Sequence, residues 1–264
     1  MASISLCMIV RDEEDVIGRC LDSVKDIVDE IIIVDTGSID KTKEIVSKYT
    51  DKIYDFKWVE DFSKARNFSF SKATKDYIMW MDADDVIEDK ERNKFLELKR
   101  NLNPDIDIYM FKYQTDEKTI YNRERLMKRS KNYKWISPIH EVIVPEGNIE
   151  YVDITIRHKK EKVKDFNRNI RIFEKMKKDG IQFDDRQEYC YAKELYYLGR
   201  IEEAKNAYEN YIEKYRNVYS EKRNYLYQAI IELSDCYRQL DDIQKRLQVL
   251  FIIIENEIPT SECC

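Results

Sequence analysis

Glycine and proline are scarce in this chain, 5 and 4 among 264 residues. Low-complexity and loop-dominated chains depend on both, so regular, packed elements are expected instead. The six cysteines (Cys7, Cys20, Cys190, Cys236, Cys263 and Cys264) form no Cys-x-x-Cys pair. Cys7 also falls in an apolar run that reads as a core strand, so reduced thiols are expected rather than a disulfide framework or a zinc site. The pair Cys263-Cys264 fits no pattern. Neither Gly-x-x-x-x-Gly-Lys nor Gly-x-Gly-x-x-Gly occurs, which removes kinase and dehydrogenase readings. No Ser-His or Cys-His arrangement of a hydrolase stands out. The stretch Ile4 to Val10 meets Arg11-Asp12-Glu13-Glu14 at once, too soon for a signal peptide, and no run approaches the ~20 apolar residues of a membrane span. A soluble, cytoplasmic protein is expected.

A net charge of −6 with 37% charged residues argues against nucleic acid as a partner. The 43% hydrophobic content supports one large domain, or a medium domain with an appendage. The first hundred residues alternate strand and helix signals, as a parallel sheet covered by helices does. Ile4 to Val10 is nearly continuous in apolar residues, as in a strand buried on both faces. Val16, Ile17, Cys20, Leu21 and Val24 recur at helical spacing. Ile31 to Val34 reads as a second buried strand, followed by the turn Asp35-Thr36-Gly37-Ser38 and a helix that Asp40 can N-cap. A short third strand over Ile53 to Phe56, a helix through Ser63 to Ala73 and a fourth strand over Tyr77 to Met81 complete the series.

That fourth strand ends at Asp82-Ala83-Asp84. Positions i and i+2 of a strand point to the same side. The two carboxylates can therefore share a hard cation such as Mg²⁺ or Mn²⁺ that also ligates phosphate oxygens, and Asp85 adds charge. In open α/β sheets ligands sit outside the carboxyl ends of the strands. Arg11, Asp35 and Asp82 all lie just past such ends, at one expected crevice.

The segments 5–14 (Ser5-Leu6-Cys7-Met8-Ile9-Val10-Arg11-Asp12-Glu13-Glu14) and 29–42, with Ile33-Val34-Asp35-Thr36-Gly37-Ser38 at its centre, resemble family 2 glycosyltransferases of the GT-A fold. Asp61-Phe62-Ser63-Lys64-Ala65-Arg66-Asn67, Trp80-Met81-Asp82-Ala83-Asp84-Asp85 and Ile139-His140-Glu141 follow in the order of one branch of that family. Its members often carry tetratricopeptide-like helices and include the sublancin-type peptide S-glycosyltransferases. The resemblance covers about residues 4 to 160. It implies an α/β fold with a mostly parallel nucleotide-binding sheet, a UDP-sugar or other nucleotide-sugar donor, a Mn²⁺ or Mg²⁺ cofactor and transfer with inversion. By the same likeness Asp84 is the direct metal ligand, with Asp82 nearer the ribose or a metal-bound water and His158 completing the site. Asp35 contacts the base or ribose, Arg11 and Arg66 meet the nucleotide or its phosphates, and Thr36 and Ala83 line the donor site.

Only two histidines occur, His140 and His158. His158 closes the alternating, strand-like run from Ile149 to Arg157. Glu141 is the candidate to take the acceptor's proton, with His140 orienting it or touching the donor. After His158 the composition shifts to polar helices, which divides the chain into 1–160, catalytic, and 161–264, helical and tetratricopeptide-like. A helix is expected from Lys159 to Lys178, broken at Asp179-Gly180. Residues from Tyr189 to Tyr215 carry the small and aromatic spacing of a helical hairpin, and a degraded copy follows at an offset of 42, Leu198 to Leu240 and Ile201 to Ile243. Phe251 to Ile254 is expected to be a helix face packing on a partner segment or subunit, which leaves room for a homodimer. Such helices suit a peptide or protein acceptor. Alternatives are a saccharide or lipid-linked acceptor, or a non-catalytic peptide-binding module on a transferase scaffold.

Overall fold

Strand β1, Ile4–Val10, is buried at every position but Ile9. Such a run offers water no polar face, so the chain must cover it on both sides. β2, Glu30–Asp35, is buried throughout, as is β4, Tyr77–Trp80. Both pair with β1 in parallel, Val10 opposite Asp35 and Cys7 opposite Trp80. β3, Ile53–Asp55, adds a fourth parallel strand beside β2. Alternate residues feed opposite faces. Leu6, Met8, Ile31, Ile33 and Met79 join one core, while Cys7, Ile32, Ile78 and Trp80 join another with Trp135.

The helices between these strands follow their apolar spacing. α1, Ile17–Val24, buries Ile17, Cys20, Leu21 and Val24. α3, Phe62–Ser71, starts at Asp61, whose side chain accepts the Lys64 N–H. Asp40 does not cap α2, Thr42–Val46: Lys41 stands at that position without a side-chain cap. Asp40 instead accepts the N–H groups of Thr42 and Glu14 through its two oxygens. The carboxylate is drawn between two loops, and the helix begins one residue later.

The computed structural model describes residues 2–159, 165–216 and 223–255. Among these the main sheet has eight strands in the order β3-β2-β1-β4-β7-β6-β10-β5. β6 is Ile108–Gln114, β7 Ile120–Lys128, β10 Ile149–His158 and β5 Asp85–Val86. β4, β7 and β6 run antiparallel in turn, β6 and β10 pair in parallel, and β5 closes the edge antiparallel to β10. The class is α/β as expected, with a parallel half and a mixed half. α4, Asp89–Arg100, precedes β6. A separate antiparallel pair, β8 (Trp135–Ile136) and β9 (Val142–Ile143), lies before β10.

The chain divides into two compact units, Met1–Lys164 and Asp165–Cys264. The second unit is helical: α5 (Arg168–Lys178), α6 (Asp185–Tyr197), α7 (Ile201–Tyr215), α8 (Arg223–Gln239) and α9 (Ile243–Glu255). α5 begins later than the expected Lys159, because the Asp165 carboxylate holds Asn167 N–H in a turn before the helix; residues 160–164 lie outside the described ones. α6 carries a capping box between Asp184 and Gln187.

The two helical hairpins turn alike. Arg200 N–H bonds Leu195 O while Gly199 takes φ +72°, and Asp242 N–H bonds Tyr237 O while Asp241 takes φ +58°. These are the positions the 42-residue offset aligns. Ile253 packs in the unit's own core whereas Phe251 is 57% exposed, so residues 251–253 do not form one packed face. Successive helical residues point about 100° apart. Cys7, Cys20, Cys190 and Cys236 are free thiols; Cys263 and Cys264 lie outside the described residues. No helix of the described residues is long and apolar enough to cross a membrane.

Candidate active site

The carboxyl ends of β2, β1 and β4 bring Asp35, Arg11 and Asp82 to one edge of the sheet. Asp35 closes β2, and its side chain is 1% exposed. Its Oδ1 accepts the N–H groups of Gly37 and Ser38, both at 2.9 Å, while its Oδ2 is buried with no hydrogen-bond partner. A buried acceptor left bare costs about 1–3 kcal/mol. It is a place for a ligand's N–H or O–H. Gly37 has φ +111° and a Cβ there would meet nothing within 4 Å, so conformation rather than crowding requires glycine. The Thr36 hydroxyl is spent on Val10 O at 3.1 Å, tying β2 to β1. Arg11 is 55% exposed, its Nε 3.9 Å from Asp12.

Arg66 of α3 sits beneath Asp82. Its Nη2 donates to Asp82 Oδ1 at 2.8 Å and its Nε to Glu141 Oε1 at 2.6 Å. The guanidinium lies over Trp80 and Trp135, 5.0 and 4.7 Å from the ring centroids. Burial alone acts to raise the Asp82 carboxyl, but Arg66 and then Arg125 outweigh it and hold it down at about 2. Arg66 thus joins two residues that lie far apart in the chain. The Ala83 methyl belongs to the core, which leaves only its backbone to face a ligand.

Asp84 and His158 also meet. His158 ends β10 opposite Asp85 of β5, and its Nδ1 lies 3.3 Å from Asp84 Oδ1 and 3.3 Å from Asp85 Oδ1. The three ligand atoms lie within 4.8 Å of one another. Hydrogen bonds to Asp84, then Asp85, raise the His158 pKa to about 10. Carboxylate and imidazole donors so placed could hold a divalent metal ion. Asp84 and His158 are 25% and 23% exposed, whereas Asp85 is fully buried, bonded by Tyr113, Arg125 and the Asp82 N–H.

Glu141 and His140 belong to the loop between β8 and β9. Ser137 and His140 both take the left-handed backbone, φ +75° and +51°, a strained choice for side chains that carry a Cβ. Phe62 N–H holds the loop through Pro138 O at 2.8 Å. Sequence reasoning noted Asp85 only as added charge and missed Tyr113 and Arg125. No local signal marks either residue, because β7 opens with three exposed residues before it buries Glu124 to Met127.

The family model described as Glycosyl transferase family 2 matches residues 5–181. A TPR repeat-containing protein of Synechococcus elongatus is 39% identical over 147 residues, 54% of this chain and 36% of that protein. The SPbeta prophage-derived glycosyltransferase SunS of Bacillus subtilis is 25% identical across 97% of this chain and 64% of its own length. The chain therefore spans between about a third and two thirds of these curated relatives. Among solved structures, S. aureus TarS residues 1–349 in complex with UDP-GlcNAc shares the fold, with TM-score 0.51 at 13% identity over 93% of this chain and 90% of that one. With the family match extending over more than half of its residues, this chain belongs to glycosyl transferase family 2.

Proposed function

We propose that this protein transfers a sugar from a UDP-sugar to a polypeptide side chain, with inversion and with a divalent cation. The observation that carries the reading is the meeting of Asp84 and His158, brought from β4's end and β10 to 3.3 Å at the sheet edge that also holds the bare Asp35 oxygen. Asp35 Oδ2 accepts a donor hydrogen from the uracil or ribose, and Gly37 and Thr36 keep the backbone open beside it. Arg11, largely exposed, meets the phosphates. Asp84 and His158 would hold the cation, and Asp82, fixed by Arg66, would serve the ribose side of the donor. A bound Mn²⁺ or Mg²⁺ supplies charge neutralisation on the departing diphosphate.

Glu141 takes the proton of the acceptor through the oxygen that Arg66 leaves open, and His140 orients the incoming group. The acceptor atom then bonds to the anomeric carbon as the bond to the β-phosphate oxygen breaks, releasing UDP. One displacement inverts the centre. The polypeptide acceptor is supported by the likeness to SunS along nearly the whole chain and by the paired helical hairpins of the second unit, a tetratricopeptide-like arrangement suited to an extended chain. A panel of nucleotide-sugars with Mn²⁺ tests the reading. One UDP-sugar should be hydrolysed slowly or stabilise the fold, and indifference to all of them overturns it.

A further inference from the structure

Asp85 looks at first like a third ligand, since its Oδ1 lies 3.3 Å from His158 Nδ1. Three of its roughly four lone-pair sites are already taken. Oδ1 accepts the Tyr113 hydroxyl at 2.9 Å, and Oδ2 accepts the Asp82 backbone N–H at 3.1 Å and Arg125 Nη1 at 3.0 Å. Arg125 is itself fully buried, stacked 3.7 Å from the Trp80 ring centroid and 4.3 Å from that of Tyr113. Its Nη1 also bonds Trp80 O at 3.1 Å, which ties it to the strand that delivers the acidic run. Its Nε and Nη2 find no partner.

Stability does not call for this group. A buried ion pair with two unsatisfied nitrogens is usually no better for folding than an apolar pair of the same size. What the group does achieve is geometric: through Asp85 it fixes the Asp82 backbone at one end and the edge pairing with His158 at the other.

We propose that Arg125, Asp85 and Tyr113 are positioning residues for the cation site: Asp85 does not take the cation but holds the Asp82–Asp84 turn and, through the pairing of β5 with β10, the strand end that carries His158, so that Asp84 and His158 can. The proposal rests on the metal-dependent reading of the site. Outer partners of this kind change metal affinity by roughly 10–100-fold, an effect on binding that is separable from folding.

The test is a Mn²⁺ titration of the full chain with UDP present, read by the paramagnetic resonance signal of free Mn²⁺, with thermal unfolding in parallel. Tyr113→Phe removes one hydroxyl and keeps the ring, so it should fold and weaken Mn²⁺ by about 10–100-fold. Arg125→Lys and Asp85→Asn should fall in the same range wherever they fold, while Asp84→Ala should lose detectable binding. Folded Tyr113→Phe with unchanged Mn²⁺ affinity overturns the proposal, whatever happens to the other two. Binding abolished in Asp85→Asn as fully as in Asp84→Ala also overturns it, because Asp85 is then a ligand. Wild-type protein that binds no Mn²⁺ removes the metal-dependent reading and this role together.

Discussion

Both units bury carboxylates whose oxygens are fully used, as those of Glu30 are in the α/β unit by Ser5, Lys52 and Thr74, and the carboxylates at the carboxyl ends of that unit's strands differ from these. In the helical unit Glu232, 8% exposed, accepts from Tyr189 at 3.3 Å, Tyr208 at 2.5 Å and Gln228 at 3.2 Å. Tyr196 and Tyr237 likewise donate to Asp235 and Glu209. Burial and then Glu232 push the Tyr208 and Tyr189 hydroxyls well above their ordinary range, so they stay protonated donors. In the α/β unit Asp35 keeps one oxygen bare, and Asp84 stands part-exposed beside His158. A saturated buried carboxylate knits helices together; a bare one waits for a ligand. Asp85 belongs to the first kind although it sits among the second.

The largest test of this contrast is Glu141→Gln, which should cut turnover by about 10²–10⁴-fold while UDP affinity, measured by calorimetry, stays as it was. A parallel loss of both would make Glu141 a donor-site residue and move the base to Asp116, Glu117 or Asp153. Asp84→Ala should reduce transfer by roughly 10²-fold or more, while the metal-free fold loses only the contact with His158, since the side chain is 25% exposed and not part of the core. Glu232→Ala reverses that signature. It should destabilise the fold by about 1–3 kcal/mol through the stranded tyrosine hydroxyls and leave Mn²⁺ and UDP affinity of the folded protein alone. Weakened UDP binding there would break the division between the units.

A further effect is in pH. Raised from 6.5 to about 10, His158 stabilises the metal-free fold fully below about pH 6.5, and that contribution is lost as pH rises through 10. Mn²⁺ must displace the same proton, so its affinity should rise with pH by up to about tenfold per unit between pH 7 and 9. A flat profile in a titration over that range would mean that His158 does not ligate.

The parallel half of the sheet was legible because continuous apolar runs have no other stable placement, and β1, β2 and β4 follow them closely. The mixed half was not. β7 begins with three exposed residues, Ile120, Tyr121 and Asn122, and then buries Glu124 and Arg125, so neither alternation nor a continuous run marks it. Asp82, Asp84 and Asp35 could be found from their positions at strand ends. Arg125 and Tyr113 could not, because their meeting with Asp85 depends on β4 pairing with β7, and β6 lying beside β10. The capping role expected of Asp40 failed for a similar reason: its second oxygen bonds a loop remote in sequence. Pairings between distant segments carry no local signature.

The central claim is that Asp84 and His158 hold a cation through which UDP binds at the ends of β2, β1 and β4. Calorimetric titration of UDP into the full chain, with Mn²⁺ and then with a chelator, tests it most directly. The account predicts binding that weakens at least about tenfold without the metal and that Asp84→Ala cannot recover when Mn²⁺ is restored. Equal UDP affinity in chelator and in Mn²⁺ would contradict it.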